Sequence, residues 1–552
     1  MSQHPLDIVA LNVLWNRLIS VCEEQANALM RTAFGAIVRE AGDLSSGVFN
    51  AEGEMLAQAV TGTPGHVNTM AASVRAMLDF VPAHTLAPGD ALVTNDPWLG
   101  AGHVFDFVVV TPAFLDGEII GYLAATSHIV DVGGRGWSAE GRSVFEEGVT
   151  IPVMHLRRGT TLNEDLLNIV TANSRVPHEA HGDILSLLTC NDTGATRLLA
   201  LMGEYGLDDL TRVSKFIFER SAEGTKTALS RAPEGIYESK LTLDGYNAPI
   251  ELCAKMTIGD GEIHVDLTGS SPAVDRGINC PLNYSAAYAA FGIRALLTPD
   301  IPNNQASLNA ITITAPPGLV VSAERPSPVS ARHVIGQALP DLMFGCLEQA
   351  MPGKVLAESS GALWTLSISG GGATSFTSLN VALGGMGARP LSDGLSTTAF
   401  PSGVGAVSVE VAEVAAPLIY HSKEFAPDTG GAGQYRGGLA QTITVGSRLG
   451  EAMTLSAAAF ERLTAGPAGR RGGESGAEGR VSITNGTKIT DKGIYDIPAG
   501  ERLILQTPGG GGFGKPADRD RDAVARDLAH GLISDDAATT LYHYKSNQPR
   551  ET

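Results

Sequence analysis

Cysteine is scarce in this chain and shows no pattern. The five cysteines, Cys22, Cys190, Cys253, Cys280 and Cys346, are widely scattered, with no Cys-x-x-Cys pair and no zinc-ribbon spacing. A disulfide framework and a thiolate metal site are both excluded on that count. Basic charge is also short: 39 Lys and Arg stand against 59 Asp and Glu, a net charge of −20. Nucleic-acid binding needs a cationic surface to displace counterions, so nucleic acid is not expected as a partner. No apolar run reaches membrane-spanning length, and the start MSQHPLDIVALNVLWNRL has no basic segment followed by an apolar core. The expectation is a cytoplasmic protein with no membrane partner.

Glycine, in contrast, is abundant. The chain has 65 glycines and only 6% aromatic residues, which points to many turns, close backbone approaches and long loops. Its 552 residues are enough for two or three domains. Apolar spacing at Leu11, Leu14, Leu18 and Cys22 predicts a helix over about 7–33. SGVFN and EMLAQA read as short strands, Met70–Phe80 as a helix and Asp90–Asn95 as a strand. Residues 162–230 read as helical. From about 235 alternating strands separated by Asp-Gly turns take over, followed by a helix over Ile335–Met351. The fold class is α+β, a β-rich multi-layer protein with a helical N-terminal and middle section. Four regions follow: 1–160, a helical 161–232, a mixed 233–440, and a β-rich 441–552 ending in two short capped helices.

Chemistry concentrates at residues 95–148. Phe107–Phe114 and Ile119–Thr126 are apolar runs separated by Leu115-Asp116-Gly117-Glu118, a strong hairpin signal. Pairing back from that turn brings His103 and Asp106 near His128, with Asp131 just beyond. A two-residue loop sets Asp106 opposite Ser127, whereas a three-residue loop sets it opposite His128. Since a one-residue slip moves a side chain to the other face, both registers stand at this point. Two imidazoles and a carboxylate at one sheet end can form a three-ligand metal site with an open position. An ordinary solvated strand end is the competing reading. Glu146 and Glu147 follow in FEEG; a carboxylate beside a metal-activated water can act as general base, and a solvated acidic pair is the alternative.

The runs NDPWLGAGHVFDF, SHIVDVGG and FEEGVTIP, with DTGGAGQYRGG and TPGGGGFG further on, resemble the hydantoinase B/oxoprolinase family. That family includes the B components of ATP-dependent hydantoinases, 5-oxoprolinases and caprolactamase, and the related large subunits of acetone and acetophenone carboxylases. The resemblance implies that His103, Asp106 and His128 bind one transition metal, with zinc, manganese or iron all suited to such ligands. It also draws in Asp43, Ser45 and His66, which match an Asp-x-Ser stretch and a Pro-x-His segment, and makes His66 a catalytic candidate beside Glu146 and Glu147. By the same resemblance, ATP and magnesium are used by a separate actin-like A-type subunit, which activates the substrate carbonyl. The implied assembly is a hetero-oligomer that opens a cyclic amide such as a hydantoin, a lactam or 5-oxoproline. The alternative within the family is a ketone carboxylase, and a non-catalytic assembly subunit is the third reading.

Several positions depart from the family pattern. Leu187-Leu188 stand where Ala-Gln is expected after Gly182-Asp183, Asn303-Asn304-Gln305-Ala306 replaces Asn-x-Gly, and Arg462 is the lone arginine of a normally Arg-rich stretch. His178 and His181 share a helix face without a carboxylate at ligand spacing. Arg436 reads as a structural ion-pair residue. Gly509, Gly514 and Lys515 nearly spell a P-loop, but Pro516 occupies the Ser/Thr position, so the magnesium hydroxyl is missing. Four consecutive glycines there favour a turn over a phosphate cradle.

Overall fold

Asp7 starts the first helix by accepting a hydrogen bond from the Ala10 N–H at 2.8 Å, and the computed structural model describes residues 7–361, 363–370 and 376–544. The stretch 371–375, within the glycine-rich SISGGGATS, lies outside the described residues. The chain forms two compact units, residues 1–238 with 253–340, and residues 239–252 with 341–552. The regions read from sequence mark changes of element type, whereas the units mark changes of packing partner.

The first unit opens with α1 (Ile8–Thr32), whose buried stripe includes Leu11, Leu14, Leu18 and Cys22. After the single turn α2 (Ala36–Arg39) come β1 (Leu44–Phe49) and β2 (Met55–Gln58). Helix α3 (Pro64–Phe80) begins a full turn and a half before the expected Met70, because Pro64 suits the first helical position. Strands β3 (Ala91–Thr94), β4 (Asp106–Leu115), β5 (Glu118–His128), β6 (Met154–Arg158) and β7 (Thr161–Leu162) complete a seven-stranded antiparallel sheet ordered β2-β1-β5-β4-β3-β6-β7. Three helices follow, α4 (Glu164–Asn173), α5 (Pro177–Tyr205) and α6 (Thr211–Leu229). Helix α3 covers one face of the sheet through Met70, Val74 and Met77, and α5 packs on β4 and β5. With helices over both faces, β4 can be apolar throughout, which is why its sequence shows no alternation.

Strands β8 (Gly235–Leu243), β9 (Ile250–Gly259), β10 (Glu262–Asp266) and β11 (Ile311–Thr314) form a four-stranded sheet in the order β11-β10-β9-β8. Between β10 and β11 run α7 (Leu282–Leu297) and α8 (Gln305–Asn309), the latter held by a capping box from Asn304. Helices α3 and α7 approach closely at Gly65, where a Cβ would lie 2.4 Å from the Tyr284 ring. The single helix expected over Ile335–Met351 is two pieces, α9 (His333–Gly336) and α10 (Leu339–Ala350). Pro340 explains the break: it has no N–H to continue the first helix but fits the opening turn of the second.

The second unit holds β12 (Leu363–Gly370), β13 (Phe376–Leu383), α11 (Val409–Ala415), β14 (Leu418–Ala426), β15 (Ala440–Ser447), β16 (Met453–Ser456), β17 (Arg480–Ile483), β18 (Lys488–Ile489), β19 (Ile494–Ile497) and β20 (Arg502–Gln506). Two sheets, β13-β12-β16-β19 and β14-β15-β20-β17-β18, share a core around Trp364, Phe460, Leu455 and Leu505. Helices α12 (Arg521–Ala529) and α13 (Asp535–Thr540) end the described chain, capped by Asp520 and Ser534.

Glycine-rich segments cross at the centre of this unit. The N–H groups of Gly509, Gly510, Gly511 and Gly512 donate to the carbonyls of Ala477, Gly438, Glu358 and Glu474 at 2.9–3.0 Å. A Cβ would meet backbone oxygen at 1.8 Å at Gly509 and 2.0 Å at Gly510. The turn expected at Gly509–Gly512 is therefore a buried crossing segment, and its glycines serve close approach. Of the glycines in this stretch only Gly514 has a left-handed backbone, φ 72°. Arg436 donates to Asp527 at 3.2 Å, and Arg462 pairs with Glu358 at 3.1 Å.

Candidate metal centre

The β4–β5 turn decides what the site contains. Asp116 and Gly117 both have positive φ, 50° and 92°, as a two-residue hairpin turn requires. Leu115 pairs with Glu118 and Phe114 with Ile119, but Ala113 pairs with Gly121, so Ile120 is an extra residue on β5. From there the ladder runs evenly to the Asp106–His128 pair. The tight loop thus coexists with the pairing that a longer loop would give, because the extra residue sits in the strand as a bulge.

His103 lies on the loop that leads into β4, and that loop is stapled from within. The Asn95 amide donates to the carbonyls of Val104 at 2.6 Å and Val149 at 2.9 Å, and its oxygen accepts from Ile151 N–H at 2.6 Å. His103, Asp106 and His128 are all buried, and their ligand atoms lie within 4.8 Å of one another. His103 Nδ1 faces the carbonyl of Ser330 at 2.9 Å, which fixes the proton on that nitrogen. Its Nε2 then carries a lone pair, 2.8 Å from Asp106 Oδ1 and without a hydrogen-bond partner. His128 Nδ1 sits 3.2 Å from the same oxygen, and its Nε2 has no partner. Burial, reinforced by Arg332, pushes the His103 imidazolium down to about 3. A neutral imidazole lone pair opposed to a carboxylate oxygen is repulsive unless a cation joins them. The donor set of two nitrogens and one oxygen, with these orphaned atoms, fits a borderline transition metal.

The other carboxylate oxygen is fully committed. Asp106 Oδ2 accepts from His66 Nε2 at 2.9 Å and from Arg332 Nη2 at 2.5 Å. His66 belongs to the first turn of α3, and its Nδ1 lies 3.6 Å from Asp43 Oδ1. Burial lowers the His66 pKa, but Asp106 and Asp43 outweigh it and hold the imidazole above its ordinary value. For Asp106, burial is outweighed by the cationic neighbours His66 and Arg332, which keep the carboxyl well below the usual range. Arg332 was not a sequence candidate. Its Nε donates to the Ala101 carbonyl at 2.6 Å and its guanidinium lies 4.1 Å over the Tyr284 ring. The only trace of it in the sequence is a basic Arg-His pair directly before an apolar helix.

Trp137 covers the imidazoles, its ring centroid 5.3 Å from both His103 and His128. Phe105 stacks 5.7 Å from His128. The loop that brings Trp137 in turns at Gly133, Gly134 and Gly136, all with positive φ. Asp131, the fourth polar residue of the hairpin region, instead holds Arg175: its Oδ1 accepts from the guanidinium at 2.5 Å and its Oδ2 from the backbone N–H.

The two glutamates diverge. Glu146 is solvent-accessible and pairs with Arg135 at 2.6 Å, which lowers its pKa. Glu147 is buried, and its Oε1 accepts from the N–H groups of Val329 at 2.7 Å and Ser330 at 2.8 Å. Burial pushes its carboxyl up to about 8. His178 is exposed and packs edge-on to Phe34 at 5.0 Å; with His181 it lines a surface groove. Asp183 accepts from the N–H groups of Phe34 at 2.7 Å and Gly35 at 3.0 Å. Among the described residues, no helix is long and apolar enough to cross a membrane.

Comparison with known proteins gives a consistent picture. The family model described as hydantoinase B/oxoprolinase matches residues 7–516. An uncharacterized protein of Methanocaldococcus jannaschii is 30% identical over 98% of this chain and 96% of its own length. The caprolactamase subunit beta of Pseudomonas jessenii is 26% identical over 97% of this chain and 96% of its own. Among solved structures, ATP-dependent caprolactamase from Pseudomonas jessenii superposes with a TM-score of 0.89 at 22% identity, covering 99% of this chain and 98% of that one. Acetone carboxylase in its nucleotide-free form gives 0.85 at 20% identity, over 97% of this chain and 79% of that one. These two likenesses concern the fold.

Proposed function

From the premise that this chain belongs to the hydantoinase B/oxoprolinase family, we propose that it is the B-type subunit of an ATP-dependent cyclic-amide hydrolase. The observation that carries the reading is the opposed lone pair: His103 Nε2 against Asp106 Oδ1, with His128 at the same oxygen. His103, Asp106 and His128 would hold one transition metal, of the zinc, manganese or iron class. Such an ion, when bound, supplies Lewis acidity and lowers the pKa of a water.

The chain's own residues prepare that chemistry. Ser330 holds the His103 tautomer through its carbonyl, so Nε2 is always free to ligate. Arg332 and His66 occupy Asp106 Oδ2, which keeps the carboxylate ionised and leaves Oδ1 for the ion. His66, between Asp106 and Asp43, is the group able to hold or release a proton at the edge of the site. Trp137 and Phe105 shield the imidazoles from water. The near P-loop offers nothing to a phosphate, since its glycine N–H groups already donate to backbone carbonyls. In line with the family, ATP and magnesium would be used by an actin-like A-type partner that activates the amide carbonyl, in a cytoplasmic hetero-oligomer.

The test is co-expression with an A-type subunit, then assay of ATP-dependent ring opening of lactams, hydantoins and 5-oxoproline, and of ketones with and without bicarbonate. Ring opening without bicarbonate, and an inactive isolated chain, are expected. Turnover seen only with a ketone and bicarbonate would replace this reading with the ketone carboxylase, the alternative within the family.

A further inference from the structure

Glu147 is a buried carboxylate whose Oε1 is held by two consecutive backbone N–H groups. That oxygen accepts both the Val329 and the Ser330 N–H, at 2.7 and 2.8 Å. The peptide on the other side of Ser330 presents the carbonyl that receives His103 Nδ1 at 2.9 Å. A continuous path thus runs from Glu147 Oε1 through the Ser330 backbone to the His103 ring. The next residues of the same segment are Ala331, whose N–H donates to the Gly277 carbonyl at 2.6 Å, and Arg332, which holds Asp106 at 2.5 Å.

The socket around the carboxyl is built to its size. A Cβ on Gly277 would lie 3.1 Å from Glu147 Oε1 and 2.5 Å from Ser330 Oγ, and one on Gly141 would lie 3.2 Å from Glu147 Cγ. Ser330 Oγ in turn donates to the Ser138 carbonyl at 2.5 Å, tying the segment to the loop that carries Trp137. The second carboxyl oxygen, Oε2, is buried and has no hydrogen-bond partner.

We infer that Glu147 is a positioning residue: it clamps the Val329–Ser330 backbone so that the Ser330 carbonyl holds His103 in its metal-ligating tautomer. This rests on the metal reading above. A general base must present a charged, accessible oxygen to water. Glu147 instead spends one oxygen on two backbone donors and is 1% exposed. Burial that pushes its carboxyl up to about 8 fits the same role, since a neutral carboxyl still accepts through its carbonyl oxygen. The clamp therefore needs a planar acceptor at this position and does not need a charge.

Two variants of the full chain separate the roles. Glu147→Gln keeps the acceptor oxygen and removes the acid; Glu147→Leu removes both. The expected result is that Glu147→Gln retains wild-type zinc and manganese affinity, and activity in the complex with the A-type partner, within about twofold. Glu147→Leu should weaken metal affinity about 10- to 100-fold, the usual effect of losing an outer-shell support. In selectively histidine-labelled, metal-free chain, the slowly exchanging His103 Nδ1–H resonance, assigned by its absence in His103→Ala, should persist in Glu147→Gln and be lost in Glu147→Leu. A kcat drop of 100-fold or more in Glu147→Gln with full metal content would make Glu147 the base and overturn the proposal. So would unchanged metal affinity, or an unchanged His103 resonance, in Glu147→Leu. If the wild-type chain takes up no metal, the metal reading fails and the resonance in the metal-free chain alone decides whether the clamp exists.

Discussion

Two buried regions of this protein handle polar atoms in opposite ways. Around Asp106, side chains from distant parts of the chain converge and leave lone pairs opposed, with His103 Nε2 and His128 Nε2 unpartnered. Around Gly510, side chains are eliminated and the backbone satisfies itself, each N–H meeting a carbonyl at about 3 Å. Buried polar groups are almost always paired, so an unpaired cluster marks where something else must bind. A fully paired one marks architecture. By that criterion the near P-loop at Gly509–Lys515 is part of the scaffold, and the hairpin end is the candidate site.

The largest effect should come from breaking the paired region. Gly510→Ala places a Cβ 2.0 Å from the Met386 carbonyl, a backbone clash with nowhere to relax. A loss of roughly 4 kcal/mol or more, seen as insoluble expression or a collapsed thermal midpoint, is expected. A folded variant with a wild-type midpoint would mean the crossing is looser than its geometry. Next, His103→Ala or His128→Ala should abolish bound metal and ring opening while circular dichroism stays close to wild type. Full metal occupancy in the double variant would refute the assignment.

A smaller effect sharpens the contrast through pH. Glu147 titrates near 8 in the folded chain, against an ordinary 4.5. The folded state therefore keeps a proton that the unfolded chain has lost, so wild-type stability falls as pH rises from about 4.5 towards 8. Glu147→Gln removes that fall. In metal-free chain its stability relative to wild type should rise over this window, on the order of 3 kcal/mol in total. Thermal midpoints at pH 5, 6.5 and 8 would read it, and a gap that stays constant or shrinks would count against the buried neutral acid. Smallest of all, Lys515→Ala removes an exposed side chain and should change stability by no more than about 0.5 kcal/mol. The isolated chain should bind no ATP with or without it. Saturable ATP binding abolished by this substitution would reverse the scaffold assignment.

The local half of the site was legible in the sequence. Asp116-Gly117 announces the hairpin and brings His103, Asp106 and His128 to one sheet end, but the Ile120 bulge that sets Asp106 opposite His128 has no signal in the sequence. What closes the site was not legible, because it comes from sequence-distant residues. Arg332 reaches Asp106 from 226 positions away, and no periodicity links them. Glu146 and Glu147 are adjacent and chemically identical, yet one meets solvent and Arg135 while the other meets the backbone of Val329 and Ser330. The α+β class and the helical middle were readable from apolar spacing. The glycine crossing was not, since a run of glycines reads as a turn until other segments are known to pass within contact of it.

The bulge at Ile120 gives the hairpin an uneven tolerance to lost residues. Deleting Ile120 itself would forfeit one buried side chain, but Ala113 would still face Gly121 and Asp106 would still face His128. Deleting one residue between Gly121 and Ser127 would keep the Asp106–His128 pair only if the bulge were lost, and the residues from Ile120 to the deletion would then turn to the opposite face of the sheet. Length variation along this strand is therefore least disruptive at the bulge, and chains that differ there by a single residue can share the same centre.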